Sequence, residues 1–324
     1  MHVDRHLLRE AEAVCVDAVS QAGAVLRTYF RAPLQVEFKD KHQQDPVTEA
    51  DRQSEHLLRA SLGRAFPSHG IIGEEGEDVV NAAADYVWFL DPLDGTTNFA
   101  AGLPAFAISM GLCFQGIPVL GVIAMPWEGP QGTIFRAHQG GGAWCNDGAI
   151  QVAGATLPTG TQLASMPFWT LWQYRVRRRA PMHQTNIRAT GSIAYELAYA
   201  ARGTFQYAII SGARLWDMVA GVVLVQEAGG TTLFSNSTMR RWSTWETFLR
   251  RVLSTPFGHD PAALRRLHIN LLAGNPDLVR QCANQVSVRR PGIWPKLQRR
   301  LRKVRKRLRS SPHATPTSTP PAAS

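Results

Sequence analysis

Apolar and polar positions alternate with a helical period across residues 4–30, which predicts one long amphipathic helix at the start of the chain. A second helix is expected over about 49–62, with Asp45 or Thr48 as its cap. The pattern then changes: the short apolar runs at 86–90, 106–114 and 119–125 read as strands. Gly140, Gly141 and Gly142 mark a tight turn beside a strand. Helical spacing returns over 192–202 and about 216–228, both with apolar faces.

Two stretches depart from this rhythm. In 236–268, Ser243-Thr244-Trp245-Glu246 has the form of a capping box, followed by an apolar face of Trp242, Trp245, Phe248, Leu249, Val252 and Leu253. One reading is a helix that covers the second half of the molecule or a dimer seam; the other is a lid or a membrane contact. Near the end of the chain, Leu297, Leu301, Val304 and Leu308 recur at spacings of 4, 3 and 4 among arginines and lysines, with Ile293 and Trp294 ahead of them. That is the pattern of a basic amphipathic helix. Residues 310–324, rich in Pro, Ser and Thr, are expected to be disordered.

The 324 residues suit one large or two moderate domains, and 44% hydrophobic content is ample for a core. No run approaches the roughly 20 apolar residues of a membrane span. Residues 1–10 are too polar for a signal peptide. Cys15, Cys113, Cys145 and Cys282 are scattered, as expected of reduced thiols in a cytoplasmic protein and not of a disulfide frame or zinc site. The ten histidines show no ligand spacing, and His138 reads as a surface or loop residue. The net charge of +10 is localised: 11 of the 35 basic residues lie in 286–324, which contains no acid, and the remainder nearly balances the 25 acids. The tail therefore reads as a contact for an anionic membrane surface or for nucleic acid, or as a solvated or self-packed helix.

The chemistry lies in Asp91-Pro92-Leu93-Asp94-Gly95-Thr96-Thr97, where an apolar strand ends in two carboxylates. Pro92 fixes its own φ and biases Asp91 towards an extended backbone, so the turn can aim both acids into one space. Paired oxygen ligands favour a hard divalent ion such as Mg²⁺, and Gly95-Thr96-Thr97 offers backbone N–H groups at a helix start as an anion site. Each piece also has an ordinary explanation, because Asp, Pro and Gly are common in turns. More acids stand at Glu74-Glu75, after an apolar pair, and at Asp217, where a helix cap is the plain alternative. Asp51, early in its helix, could be a surface acid favoured by the dipole.

Taken together and in order, VTEAD (47–51), GEE (73–75), DPLDGTTNF (91–99), GGGAWCNDGAI (140–150), RATGS (188–192), WDMVAGVVLVQEAGG (216–230) and LLAGNP (271–276) resemble the inositol monophosphatase family of Mg²⁺-dependent, lithium-sensitive phosphatases. The resemblance covers about residues 5–285. It implies an α+β and α/β fold, a layered αβαβα sandwich of the inositol monophosphatase/fructose-1,6-bisphosphatase type. An N-terminal α+β domain (1–150) would carry the main metal and phosphate site. An α/β domain (151–285, with the insertion at 236–268) would follow, and then the basic tail (286–324). The resemblance further implies Glu74, Asp91, the Leu93 carbonyl, Asp94 and Asp217 as ligands of two or three Mg²⁺ ions, with Mn²⁺ as a substitute. Asp51, Thr96 and Glu74 are the expected catalytic residues, with Asp51 and Thr96 orienting a metal-activated water for direct attack on a phosphate monoester. Gly95, Thr96, Gly191, Ser192 and Ile210 would face the substrate, and Lys39 loosely matches a basic residue near the metals. Homodimers are common in the family.

Ile210 stands where inositol-specific members carry an acid that grips hydroxyl groups, and the segment FWTLWQYRVRRR (168–179) is rich in aromatics and arginines. Histidinol phosphate, sugar bisphosphates and 3′-phosphoadenosine nucleotides thus stand beside inositol phosphate as substrates. Haloacid-dehalogenase-type phosphatases also pair aspartates after a strand, but with one residue between them; here Pro92 and Leu93 intervene. A different class of reading is a module that binds RNA, membrane or a protein partner on the same fold.

Overall fold

The computed structural model describes residues 3–32, 36–38, 46–76, 84–154, 161–167, 174–176, 185–236, 241–253, 257 and 260–288. The N-terminal half supplies α1 (Arg5–Tyr29), β1 (Val36–Phe38), β2 (Pro46–Thr48), α2 (Glu49–Ala65), β3 (Gly70–Gly73), β4 (Tyr86–Asp94), α3 (Thr96–Ala100), β5 (Ala107–Phe114), β6 (Ile117–Met125), β7 (Thr133–His138), β8 (Ala143–Cys145) and β9 (Gly148–Ala149). After it come β10 (Leu163–Ser165), β11 (Tyr174–Val176), β12 (Asn186–Arg188), α4 (Ile193–Ala201), β13 (Phe205–Ala213), α5 (Leu215–Glu227), β14 (Thr231–Ser235), α6 (Trp245–Val252), α7 (Pro261–Arg266), β15 (Ile269–Gly274), α8 (Pro276–Gln285) and β16 (Val286–Val288).

Seven strands, β3 to β9 in chain order, form one sheet that is antiparallel except for the parallel pair β3 and β4. Five strands form a second, mixed sheet in the order β12-β10-β13-β15-β14. Strand alternation sorts the core by face. Trp88 and Leu90 of β4 pack under α1 and α2, whereas Val87 and Phe89 turn to the opposite side, where α4 and α5 lie. The second sheet covers α4 and α5 from beyond, and α8 packs on its outer face. The layers are therefore helix, sheet, helix, sheet, helix: the αβαβα sandwich.

Two glycines set the position of α5. Gly111 and Gly121 are paired across β5 and β6 and leave a flat spot on the sheet. A Cβ at Gly121 would stand 2.2 Å from the Ala220 carbonyl oxygen, and one at Gly111 2.5 Å from Val219 Cγ1. The helix backbone thus rests directly on the strands. At its start, the Ser109 hydroxyl donates to the Trp216 carbonyl at 3.0 Å, which places Asp217 beside the end of β4.

Three local expectations need correction. The strand at 86–90 continues to Asp94, so the two aspartates stand on a strand and not in a turn. The register with β5 shifts between Asp91 and Asp94. Residues three apart on a regular strand face opposite ways; the bulge brings both carboxylates to one side. Pro92, lacking an N–H, is tolerated there, and its carbonyl accepts from Ser54 Oγ. Ser243 does not cap α6, because its backbone is bound both ways to Phe234, so the helix begins one residue later with Thr244 as cap residue. His138 ends β7, largely buried, with Nδ1 2.7 Å from Glu12 of α1, instead of lying on a surface loop. The insertion does cover the second sheet: Trp245 and Phe248 are buried on β14, and Trp245 Nε1 donates to the Gly116 carbonyl. Most of the 168–179 segment, Asp45, Lys39 and the residues beyond Val288 lie outside the described residues.

Candidate active site: an acid-lined cavity

Four elements end at one cavity of about 460 Å³, walled by Glu74, Asp91, Leu93, Asp94, Gly95, Thr96, Arg214, Trp216, Asp217 and Arg265. Glu74 follows β3, and its amide is bound to the Leu90 carbonyl at 3.1 Å. Asp91, Leu93 and Asp94 come from the bulged end of β4. Gly95, with φ of +96°, turns the chain into α3 and presents Thr96. A side chain at that glycine would be strained by its φ and would meet the Ala105 carbonyl at 3.0 Å. Asp217 stands in the first turn of α5.

The carboxylates are held in place by one oxygen each. Asp91 Oδ1 accepts from the Leu93 amide at 3.0 Å. Asp94 Oδ2 accepts from the Ser192 hydroxyl at 2.8 Å and the Ala194 amide at 2.5 Å. Asp217 Oδ2 accepts from the Arg214 amide at 2.8 Å, so the cap and the site residue are the same side chain. Asp51 is likewise no surface acid: it is 1% exposed, and its Oδ2 accepts from the Thr48 amide and hydroxyl. Its Oδ1 lies 3.1 Å from Thr96 Oγ1, which also stands 3.0 Å from the Leu93 carbonyl.

Burial is the first cause of an unusual electrostatic state. It pushes Asp91 and Asp217 well above the ordinary carboxylate range, and the neighbouring acids add to the effect. Asp94 is pushed up to about 7, mainly by burial and against its hydrogen bonds from Ala194 and Ser192. Asp51 is also raised by burial. Among the described residues no salt bridge reaches Asp91, Asp94 or Asp217. The two arginines of the wall are turned to carbonyls: Arg214 Nη1 donates to those of Arg265 and Leu267, and Arg265 to those of Gly73, Glu74 and Gly76.

An oxygen-only set of four carboxylates and a carbonyl, with Asp91, Asp94 and Asp217 raised in pKa chiefly by burial, fits a hard divalent cation. No three His, Cys, Asp or Glu side chains among the described residues form a ready-made cage; the acids stand around the cavity wall. A larger hollow of about 550 Å³ beside Trp144 and Val152 contains one acid, Glu227, whose two oxygens already accept from the amides of Gly140 and Gly142.

The substrate-facing set is redistributed. Ile210 is fully buried in the core between α4, α5 and the second sheet, away from the cavity wall, because β13 bulges only after it. Ser192, 1% exposed, supports Asp94 from behind, and Gly191 (φ +85°) forms the turn before it. Sequence reasoning missed three supports. Glu55 lies on the buried face of α2 and holds the amides of Glu75 and Gly76, each at 2.7 Å. Glu196, buried in α4, holds the Thr190 amide at 2.9 Å in the loop ahead of Ser192. For both, an acid on an otherwise apolar helical stripe was the available signal. Arg265, in the insertion, had none.

Comparison with known proteins gives the family and the fold. The sequence profile of the inositol monophosphatase family matches residues 7–256. An inositol-1-monophosphatase of Rhizobium meliloti is 37% identical over 224 residues, 67% of this chain and 82% of the relative. A Nus factor SuhB of Pseudomonas aeruginosa is 35% identical over 226 residues, with the same coverage. The crystal structure of the extragenic suppressor protein suhB from Bartonella henselae superposes with a TM-score of 0.65 at 31% identity, covering 84% of this chain and 98% of that one.

Proposed function

From the premise that the chain belongs to the inositol monophosphatase family, we propose that it is a Mg²⁺-dependent phosphate monoester hydrolase acting on small phosphorylated metabolites. The observation that supports this most is the convergence of Glu74, Asp91, the Leu93 carbonyl, Asp94 and Asp217 on one cavity with Thr96 at its edge. Those five would hold the metal. When bound, Mg²⁺ supplies positive charge that offsets the phosphate dianion and makes water more acidic.

The protein's own part is proton handling and orientation. A threonine hydroxyl carries one proton and two lone pairs. Thr96 Oγ1 can therefore give its proton towards Asp51 Oδ1 and accept one from an attacking water. Asp51 is buried, and burial raises its pKa above the ordinary carboxylate value, which makes it a better proton acceptor. The water oxygen forms the new bond to phosphorus as the ester oxygen leaves; the attacking water's proton passes through Thr96 to Asp51, and the leaving oxygen takes a proton from solvent water, to which Asp51 returns its own. The amides of Gly95 and Thr96 stand as donors for a phosphoryl oxygen. Next to the acids the wall is Arg214, Trp216 and Arg265, with both guanidinium groups over the Trp216 ring. The alcohol part of the substrate then meets arginine and indole in place of a hydroxyl-binding acid.

A second reading is favoured by the relatives named Nus factor SuhB and the 11 basic residues of 286–324: a module that grips nucleic acid or a partner. The two separate in a panel assay of Mg²⁺-dependent phosphate release from inositol 1-phosphate, histidinol phosphate, fructose 1,6-bisphosphate and 3′-phosphoadenosine 5′-phosphate, with Asp217→Asn as blank. Turnover of one compound, lost in the variant, supports the hydrolase. No turnover by folded protein with Mg²⁺ or Mn²⁺ favours the binding module.

A further inference from the structure

The insertion at 236–268 is more than a cover for the second sheet, because its last helix reaches the acid cavity. Arg265, in the last turn of α7, projects to the loop that carries Glu74, some 190 residues earlier. Its Nη2 donates to the carbonyls of Gly73 and Gly76, the latter at 3.0 Å, and its Nη1 lies 3.5 Å from the Glu74 carbonyl. Glu55 of α2 grips the same loop through the amides of Glu75 and Gly76. The loop is thus held by its carbonyls from one element and by its amides from another.

The far end of the chain of contacts is Asp217. Its carboxylate is bound to the Arg214 amide, and the Arg214 guanidinium donates to the carbonyl of Arg265 itself at 2.8 Å. The Arg265 guanidinium also lies over the Trp216 ring, 5.3 Å from its centre. Glu74 and Asp217 come from different halves of the chain, and α7 joins their backbones.

We propose that Arg265 is a positioning residue: it fixes the Glu74 loop against the Asp217 helix, and so makes the insertion a part of the cation site. This rests on the reading of the acid cavity as a divalent-cation site. Charge-assisted bonds to three carbonyls need a planar fork of N–H donors, which lysine lacks. Arg265→Lys therefore keeps the charge and loses most of the grip.

The test uses the full chain, with Arg265→Ala and Arg265→Lys beside the wild type. Hydrogen exchange at the amides of Glu74, Glu75 and Gly76 is measured without metal, Mn²⁺ alone is titrated by calorimetry, and thermal midpoints are recorded. The expected result is exchange at those three amides faster by roughly tenfold and Mn²⁺ binding weaker by roughly tenfold or more in the alanine variant. The lysine variant should fall between, with a midpoint close to the wild type. If the alanine variant does not fold, the lysine variant decides the matter by the same readouts. Unchanged exchange and unchanged Mn²⁺ affinity would overturn the proposal, as would exchange that rises evenly across the protein in step with a lowered midpoint. If the wild type binds no Mn²⁺, the metal reading of the cavity fails, while the metal-free exchange still judges whether Arg265 holds the loop.

Discussion

Substituting Gly121 with alanine tests how α5, and with it Asp217, is placed. The added Cβ would stand 2.2 Å from the Ala220 oxygen and 2.6 Å from its Cα, where ordinary contacts begin at 3.4 Å. These are backbone atoms, so no side chain can rotate away, and α5 must retreat by about 1 Å from a close-packed sheet. Overpacking of that kind costs about 2–3 kcal/mol, or a thermal midpoint lower by roughly 3–5 °C in a protein of this size. The same retreat carries Asp217 away from Asp91 and should weaken the stabilisation by Mg²⁺. Gly63→Ala is the control: it sits in α2 with nothing within 4 Å of the new Cβ, and should raise stability by about 0.5–1 kcal/mol. Thermal melts with EDTA and with Mg²⁺ read both effects. A Gly121→Ala protein that melts with the wild type and responds to Mg²⁺ as fully would refute the argument that α5 rests on this flat spot.

Asp94→Asn should stabilise the metal-free protein at pH 8. Burial holds the folded-state pKa at about 7, above the ordinary carboxylate value, so ionising Asp94 costs stability increasingly as pH rises from 4 to 7, by on the order of a few kcal/mol. In melts with EDTA the advantage of the variant should shrink towards pH 4, and its Mg²⁺ response should be absent. His69 works in the opposite direction. Burial lowers its pKa to about 4, and its Nδ1 lies 3.1 Å from Trp88 Nε1, a bond that only the neutral ring can accept. Wild-type stability should therefore fall relative to His69→Gln as pH drops from 6.5 to 4, followed by denaturant titration on Trp fluorescence. Thr96→Val, which removes the hydroxyl between Asp51 and Leu93, should lower kcat by about 10²-fold or more with little change in melting temperature; equal turnover would dismiss the proton route through Thr96.

The layers of the fold were legible because their signals are local. The helical period of α1 and α2, and the apolar runs of β4, β5 and β6, needed no partner to be recognised. The acids were legible as chemistry, since Asp91 and Asp94 close an apolar run and Asp217 opens one. The common facing of Asp91 and Asp94 was expected of a turn at Pro92; the bulged strand that produces it was not legible, because it depends on a register shift that only pairing with β5 creates. Ile210 shows the limit of transferring a role by position: its place in the sequence matches a substrate-facing site, yet its side chain belongs to the core. Ser243 fits a cap by spacing and lost to a bridge with Phe234, nine residues upstream. Arg265 was invisible because its significance lies in carbonyls some 190 residues away.

The most direct test of the central claim is phosphate release from one turned-over monoester, followed against Mg²⁺ concentration in the wild type and in Asp91→Asn. The asparagine keeps the size of the buried carboxylate and one oxygen for the Leu93 amide, so the fold should persist. Release that saturates with Mg²⁺, disappears with EDTA and falls by several orders of magnitude in a folded variant is the predicted result. Release that is indifferent to EDTA, or that survives in Asp91→Asn at the wild-type rate, would contradict the account.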